Sequence, residues 1–197
     1  MTLTATPPTT AQAQPPTPRG AGVGLPSVAS ASAVLLGALA LSPVFVSGAW
    51  FGAVVLTVVA VVGAGALVTW LRAPVFLVPV VQALALFAAL VSRFTLDAPM
   101  GFVPTSDALD QLRVVLSQGI HDIDTYSPPI PATDGATAVT ALGLGCVAIV
   151  VFVLQVSLRM PVLAGLSLVA IYVVPSFVLD DGAPWWSFAF VAIAVMI

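Results

Sequence analysis

Three apolar runs follow one another almost without a break between Val28 and Ser92. Each is close to the roughly 20 residues that a helix needs to cross a hydrocarbon layer about 30 Å thick. They cover about 28–46, 49–70 and 74–92, and two further runs cover about 138–157 and 161–179. In hydrocarbon a backbone must satisfy its own hydrogen bonds, so such runs can only be helices, and their short connections force neighbours antiparallel. The expected fold is all-α: a polytopic membrane helix bundle of five full spans. A sixth run, 185–197, begins at Trp185 and reaches Ile197 at roughly half the necessary length. A chain stopping inside hydrocarbon leaves polar groups unsatisfied, so the sequence is expected to be the front part of a longer protein, with this span truncated.

Composition enters as a check. The chain is 60% hydrophobic and 7% charged, where soluble domains carry about 25% charged residues. It has neither lysine nor glutamate, and its net charge of −3 provides no basic patch, which excludes a nucleic-acid partner. A single cysteine excludes an internal disulfide and a multi-cysteine metal site. Residues 1–27, with Pro7, Pro8, Pro15, Pro16, Pro18 and Pro26 among Thr and Gln, are expected to form a disordered tail. A proline-rich docking tail is the alternative. The tail does not read as a signal peptide, because the first positive residue, Arg19, is far from Met1.

Arginine placement predicts the orientation. Arg19, Arg72 and Arg159 fall in segments that alternate to one side and hold no acid; the other side receives all eight aspartates. The expected topology has a cytoplasmic N-terminus and an extracytoplasmic loop 93–137 in a cell (plasma) membrane. The two inner turns, Leu71-Arg72-Ala73-Pro74-Val75 and Leu158-Arg159-Met160-Pro161-Val162, are alike. They read either as a duplicated hairpin or as convergence on positive-inside turns. Trp50, Trp185 and Trp186 fall at outer boundaries and Trp70 at an inner one, where tryptophans are expected as interfacial anchors. Small residues at Ala33/Gly37, Ala60/Ala64 and Ala164-Gly165/Val169 are expected to permit close helix packing.

The loop is the chain's only long polar interval, holding six of the eight aspartates and the single histidine. Thr105 or Ser106 is expected to cap a short amphipathic helix, with Asp107 and Asp110 favourable in its first turn. Its apolar face is expected to hold Leu109, Leu112, Val115, Leu116 and Ile120, with a stop at Gly119 after about 12 residues. The helix is expected on the bundle's outer surface or in the headgroup layer. The following SPPIPATDG is expected to be extended, since residues before proline avoid the helical region.

The chemistry-bearing residues are few. His121, Asp122 and Asp124 are the only clustered metal-ligand types, a weak candidate set beside the plainer reading of a solvated acidic loop. Cys146 lies in mid-span, far from His121, and reads as packing; its neighbour Gly143-Leu144-Gly145 lacks the lysine of a phosphate loop. No catalytic residue, cofactor or cofactor-binding residue is expected. The spans hold no charged residue, and Gln82, Gln155 and Tyr172 are expected to make interhelical hydrogen bonds rather than bind a substrate.

Several blocks taken together resemble a family. Gly101-Phe102-Val103-Pro104-Thr105, the helix running into Ser117–Ile123 with Gly119, and Pro128-Pro129-Ile130-Pro131 recur in order. They are followed by Leu158–Pro175 with Arg159, Pro161, Ala164, Gly165 and Pro175. These look like the N-terminal membrane domain of the TgpA-type transglutaminase-like proteins of bacteria. The resemblance covers roughly Leu90–Val178. It implies an extracytoplasmic transglutaminase-like domain, with a Cys-His-Asp triad, beyond the spans; none of those residues lies in this sequence. Met160 stands where the family often has arginine, Ser167 where it often has proline, and Phe152 where an acid is often seen. An outside domain also needs an odd number of spans before it. The expected function is a non-catalytic membrane anchor and scaffold for that cell-envelope protein. Its partners would be the lipid bilayer, its own C-terminal extracytoplasmic domain, and a homo-oligomer or other membrane partner. The alternative from another class is a small transporter or channel subunit.

Overall fold

The computed structural model describes residues 24–95, 106–126, 129–158, 160, 163–167, 169, 189 and 192–193. Five α-helices occur among them: α1 Gly24–Leu39, α2 Ala49–Trp70, α3 Leu77–Phe94, α4 Ser106–Thr125 and α5 Asp134–Phe152. A 3-10 turn, Ser42–Val44, follows α1, and a π-helical segment, Val153–Ser157, continues α5. Four stretches are long and apolar enough to cross a membrane: Pro26–Val44, Ala49–Trp70, Leu77–Phe94 and Asp134–Ser157. The expected spans at 161–179 and 185–197 lie almost wholly outside the described residues, as do most of the 1–27 tail, Tyr172, Trp185 and Trp186.

The expected boundaries hold for α2 and shift elsewhere. α1 starts before Val28, because Pro26 in its first turn lacks only an N–H that would have had no partner. It ends before Val46 because the chain tightens ahead of Pro43: Ala40 N donates to Gly37 O and Leu41 N to Ala38 O, each at 3.0 Å. α3 starts after the Pro74 turn, where Leu77 N donates to Pro74 O at 2.9 Å. α5 starts at Asp134, four residues earlier than expected, because Thr133 caps it: the Thr133 hydroxyl accepts from Ala136 N at 3.1 Å.

α5 is the central element, packing against α1, α2, α3 and α4. One apolar core joins Val34 of α1, Val54, Val58 and Val61 of α2, Leu86 and Leu90 of α3, and Leu144, Ala148 and Phe152 of α5. Two glycines set the approach of the helices. A Cβ on Gly65 would collide with the Gln82 amide and the Phe152 ring, and one on Gly145 would collide with Leu86. Leu56, Val59, Leu67, Val80 and Leu84 stay exposed on α2 and α3. Apolar surface on both sides of a helix is what a lipid-facing helix carries.

The α1–α2 turn is tied to the segment that leads into α5. Val46 N donates to Ile130 O at 3.0 Å, and Ile130 N donates to Val44 O at 2.7 Å. Ile130 is extended in this pairing, and the chain then turns at Ala132, where Thr133 N donates to Pro131 O at 2.8 Å. The α1–α2 turn, the C-terminal end of α3, α4 and the start of α5 therefore gather at one end of the bundle. The opposite end holds the α2–α3 turn, where Arg72 has a φ of 55°. Arg72 N donates to Thr69 O at 3.1 Å and Ala73 N to Val68 O at 3.2 Å. These two bonds close the end of α2 as a Schellman motif does, with arginine in the position that glycine usually takes.

Candidate functional site

α4 is the one polar helix among the described residues, and its docking builds the candidate site. It runs from Ser106 to Thr125, 20 residues, so the expected stop at Gly119 is not a stop. Gly119 sits in mid-helix, where its missing side chain lets α4 lie against the first turn of α5. A Cβ on Gly135 would fall 2.6 Å from Gly119 N and 2.8 Å from its Cα. The buried side of α4 is Ala108, Leu112 and Gly119, with Val115 and Leu116 half-buried. Leu109 and Ile120, expected on the same face, are instead exposed.

A second tie joins the two helices. The Thr133 hydroxyl donates to Asp122 Oδ2 at 2.7 Å while accepting from Ala136 N. One side chain thus caps α5 and anchors α4. Beside it, Ser117, Gln118, His121, Asp122, Thr133, Asp134 and Gly135 line a cleft of about 570 Å³.

The weak metal candidate does not assemble there. His121, Asp122 and Asp124 lie on a continuous helix; at about 100° per residue His121 and Asp124, three apart, share a side, and Asp122 points away from both. Among the described residues no group of three or more His, Cys, Asp or Glu side chains is placed to hold a metal ion. Cys146 is exposed on α5, twelve residues beyond Asp134, or about 18 Å along the helix. It does not approach His121.

Within the spans, two glutamines carry the polar chemistry. Gln82 is fully buried on α3; its Nε2 donates to Val61 O of α2 at 3.3 Å, and its Oε1 has no partner. The expected interhelical bond is therefore only half made. Gln155 lies in the π-helical segment and accepts from the Ser30 hydroxyl of α1 at 2.5 Å. That hydroxyl proton also faces the Pro26 carbonyl at 2.8 Å. The span hydroxyls of Thr57, Thr69 and Thr140 each donate to the carbonyl four residues earlier.

The anchor residues divide. Trp70 is 70% exposed at the end of α2, whereas Trp50 is 2% exposed. Trp50 stacks on Phe45, with ring centroids 5.0 Å apart, and meets Phe51 edge-on at 5.6 Å. Aromatic packing inside the bundle replaces the interfacial setting expected for Trp50. Of the motif residues, Gly119 forms the α4–α5 contact, Pro129 and Pro131 flank the Ile130 pairing, and Ala164 and Gly165 are buried. Gly101, Phe102, Pro104, Thr105, Pro128, Arg159, Pro161 and Pro175 lie outside the described residues.

No signal in a single sequence marked Gly135 or Thr133 as contact residues. A Thr three residues before Ala136, next to an acid in a first turn, is a cap signal, but the run of threonines and small residues there obscures it.

Comparison with known proteins adds the family. No curated protein and no solved structure matches this chain. The family model described as the TgpA N-terminal domain matches residues 32–197, a segment that is not itself a catalytic domain. The chain, with its apolar helices and its α4 docked on α5, belongs to the TgpA N-terminal domain family.

Proposed function

We propose that this chain is the non-catalytic membrane anchor and scaffold of a transglutaminase-like cell-envelope protein. Membership of an N-terminal domain family over residues 32–197 carries this reading. The charge distribution supports an orientation. Arg72 stands at one end of the bundle, while Asp107, Asp110, Asp122, Asp124 and Asp134 gather at the other with Arg93 and Arg113. Positive charge is retained on the cytoplasmic side. The α2–α3 turn is then cytoplasmic, α4 extracytoplasmic, and the plasma membrane the location. In this role α4 and the Ile130 segment form a rigid platform under a C-terminal extracytoplasmic domain. Single-cysteine labelling with a membrane-impermeant maleimide tests it, in a Cys146→Ser background. Labelling of Gln118→Cys in intact cells is expected; labelling only after lysis would sink the orientation.

A second reading, a small transporter or channel subunit, is favoured by two observations. Gln82 Oε1 is a buried acceptor without a partner, and Gln155 sits in a π-helical segment of a kind often found at functional sites. Substrate-dependent flux in liposomes that Gln82→Leu abolishes would establish this reading over the first.

A further inference from the structure

α4 carries two apolar stripes, and α5 covers only one. At about 100° per residue, Leu109, Ile120 and Ile123 fall within about 60° of one another, with the half-buried Leu116 between them and packed on the core. This stripe is turned about 90° from the buried Ala108, Leu112, Val115 and Gly119. Leu109, Ile120 and Ile123 are exposed, Ile120 by 57%. The opposite side, Asp107, Gln111 and Gln118, is exposed and polar apart from Val114. The helix cannot roll to bury the second stripe, because Gly119 is locked on Gly135 and Asp122 on Thr133.

We propose that the second stripe of α4 rests in the lipid surface. Two observations choose lipid as its occupant. First, α4 does not stand away from the bundle: Gly119 and Val115 touch Gly135, and Gly119 touches Val139, all within the first turns of the Asp134–Ser157 span. The contact holds α4 at the level where the apolar part of that span begins. Second, Arg113 is exposed along the edge of the stripe, about 40° from Leu109. There its guanidinium can reach the phosphate layer while its stem lies on the apolar surface. A helix with one face in the acyl boundary and a polar face in water is the interfacial arrangement. Here a third face is bolted to a span, so the bilayer surface and the bundle hold α4 jointly.

This inference rests on reading the chain as a membrane bundle, but depth is measured independently of sidedness. Its failure would therefore leave the topology test untouched. The full chain carrying Cys146→Ser is labelled with an environment-sensitive fluorophore at Ile120→Cys, Leu109→Cys or Gln118→Cys. Each is reconstituted in phosphatidylcholine–phosphatidylglycerol vesicles with and without brominated acyl chains. Labels at 109 and 120 are expected to emit further to the blue and to be quenched at least about twofold more by bromolipid than the label at 118. Three labels alike in quenching would overturn the proposal. So would a label at 120 reached by aqueous iodide but not by bromolipid, which means water covers the stripe. A label at 120 reached by neither means a protein surface covers it, and overturns the proposal equally. The use of two stripe positions guards against a local effect of either substitution.

Discussion

Gly119 and Gly135 meet backbone to backbone, and neither position has room for a Cβ. Gly119→Ala tests how much this contact matters, because two effects oppose each other. Alanine is favoured in a helix interior by about 1 kcal/mol. Overpacking costs about 1–3 kcal/mol, and here the colliding partner is rigid backbone. The clash is expected to win, lowering the unfolding midpoint in detergent and exposing α4 to protease. A more stable Gly119→Ala protein would mean that α4 does not dock as described.

Thr133 links the same two helices through its hydroxyl. Thr133→Ala removes the cap of α5 and frees Asp122, and is expected to cost about 1–2 kcal/mol. Thr133→Ser should retain most of that stability. Hydrogen exchange at the amides of Gly135 and Ala136 reads the effect locally, with faster exchange expected in the alanine variant only.

Gln82 makes one long hydrogen bond and buries an unpaired oxygen. Removing donor and orphan acceptor together is close to neutral or stabilising, since Val61 O belongs to a helix that already supplies its partner. Gln82→Leu is accordingly expected to change stability by less than about 1 kcal/mol in either direction, or to raise it. Gln82→Ala leaves a cavity beside Gly65 and Phe152 and is expected to cost about 2–4 kcal/mol. Thermal unfolding of both variants separates packing from polarity at this site.

Ser30 and Gln155 join α1 to the π-helical end of α5. A double-mutant cycle with Ser30→Ala and Gln155→Leu is expected to give a coupling of about 0.6 kcal/mol, the usual scale for hydrogen bonds between membrane helices. A coupling indistinguishable from zero would mean the contact contributes only shape.

Arg72 holds a left-handed conformation that costs a non-glycine residue about 1 kcal/mol. Arg72→Gly is expected to stabilise the isolated bundle by about that amount. In the proposed orientation it also removes the charge that would retain this turn in the cytoplasm. The same variant should therefore show a higher unfolding midpoint together with a larger fraction of inverted molecules in maleimide labelling.

The spans were legible where punctuation was strong. α2 occupies Ala49–Trp70 as the sequence predicts, because Gly48 precedes it, an arginine and a proline follow it, and its length matches a bilayer. A helix after Ser106 was legible from the apolar spacing of Leu109, Leu112 and Leu116; its cap at Thr105 or Ser106 borders residues outside the described ones. Its end was not: Gly119 reads as a terminator by propensity, yet its contact with Gly135 offsets that preference and the helix runs on to Thr125. The HDID stretch changed meaning for the same reason, since a helix disperses side chains that a loop could gather.

The apolar character of the chain, its stretches long and apolar enough to cross a membrane and its single polar interval were determined by the sequence alone, because transfer into hydrocarbon is a sum over individual residues. Where glycine is a contact, which tryptophan is buried and which glutamine oxygen is left alone were decided only by the tertiary structure. Each depends on one neighbour: Gly135 for Gly119 and Val61 for Gln82, both far along the chain, and Phe45 for Trp50 across the α1–α2 turn. No residue-by-residue sum contains those pairings, and close packing of rigid helices is what creates them.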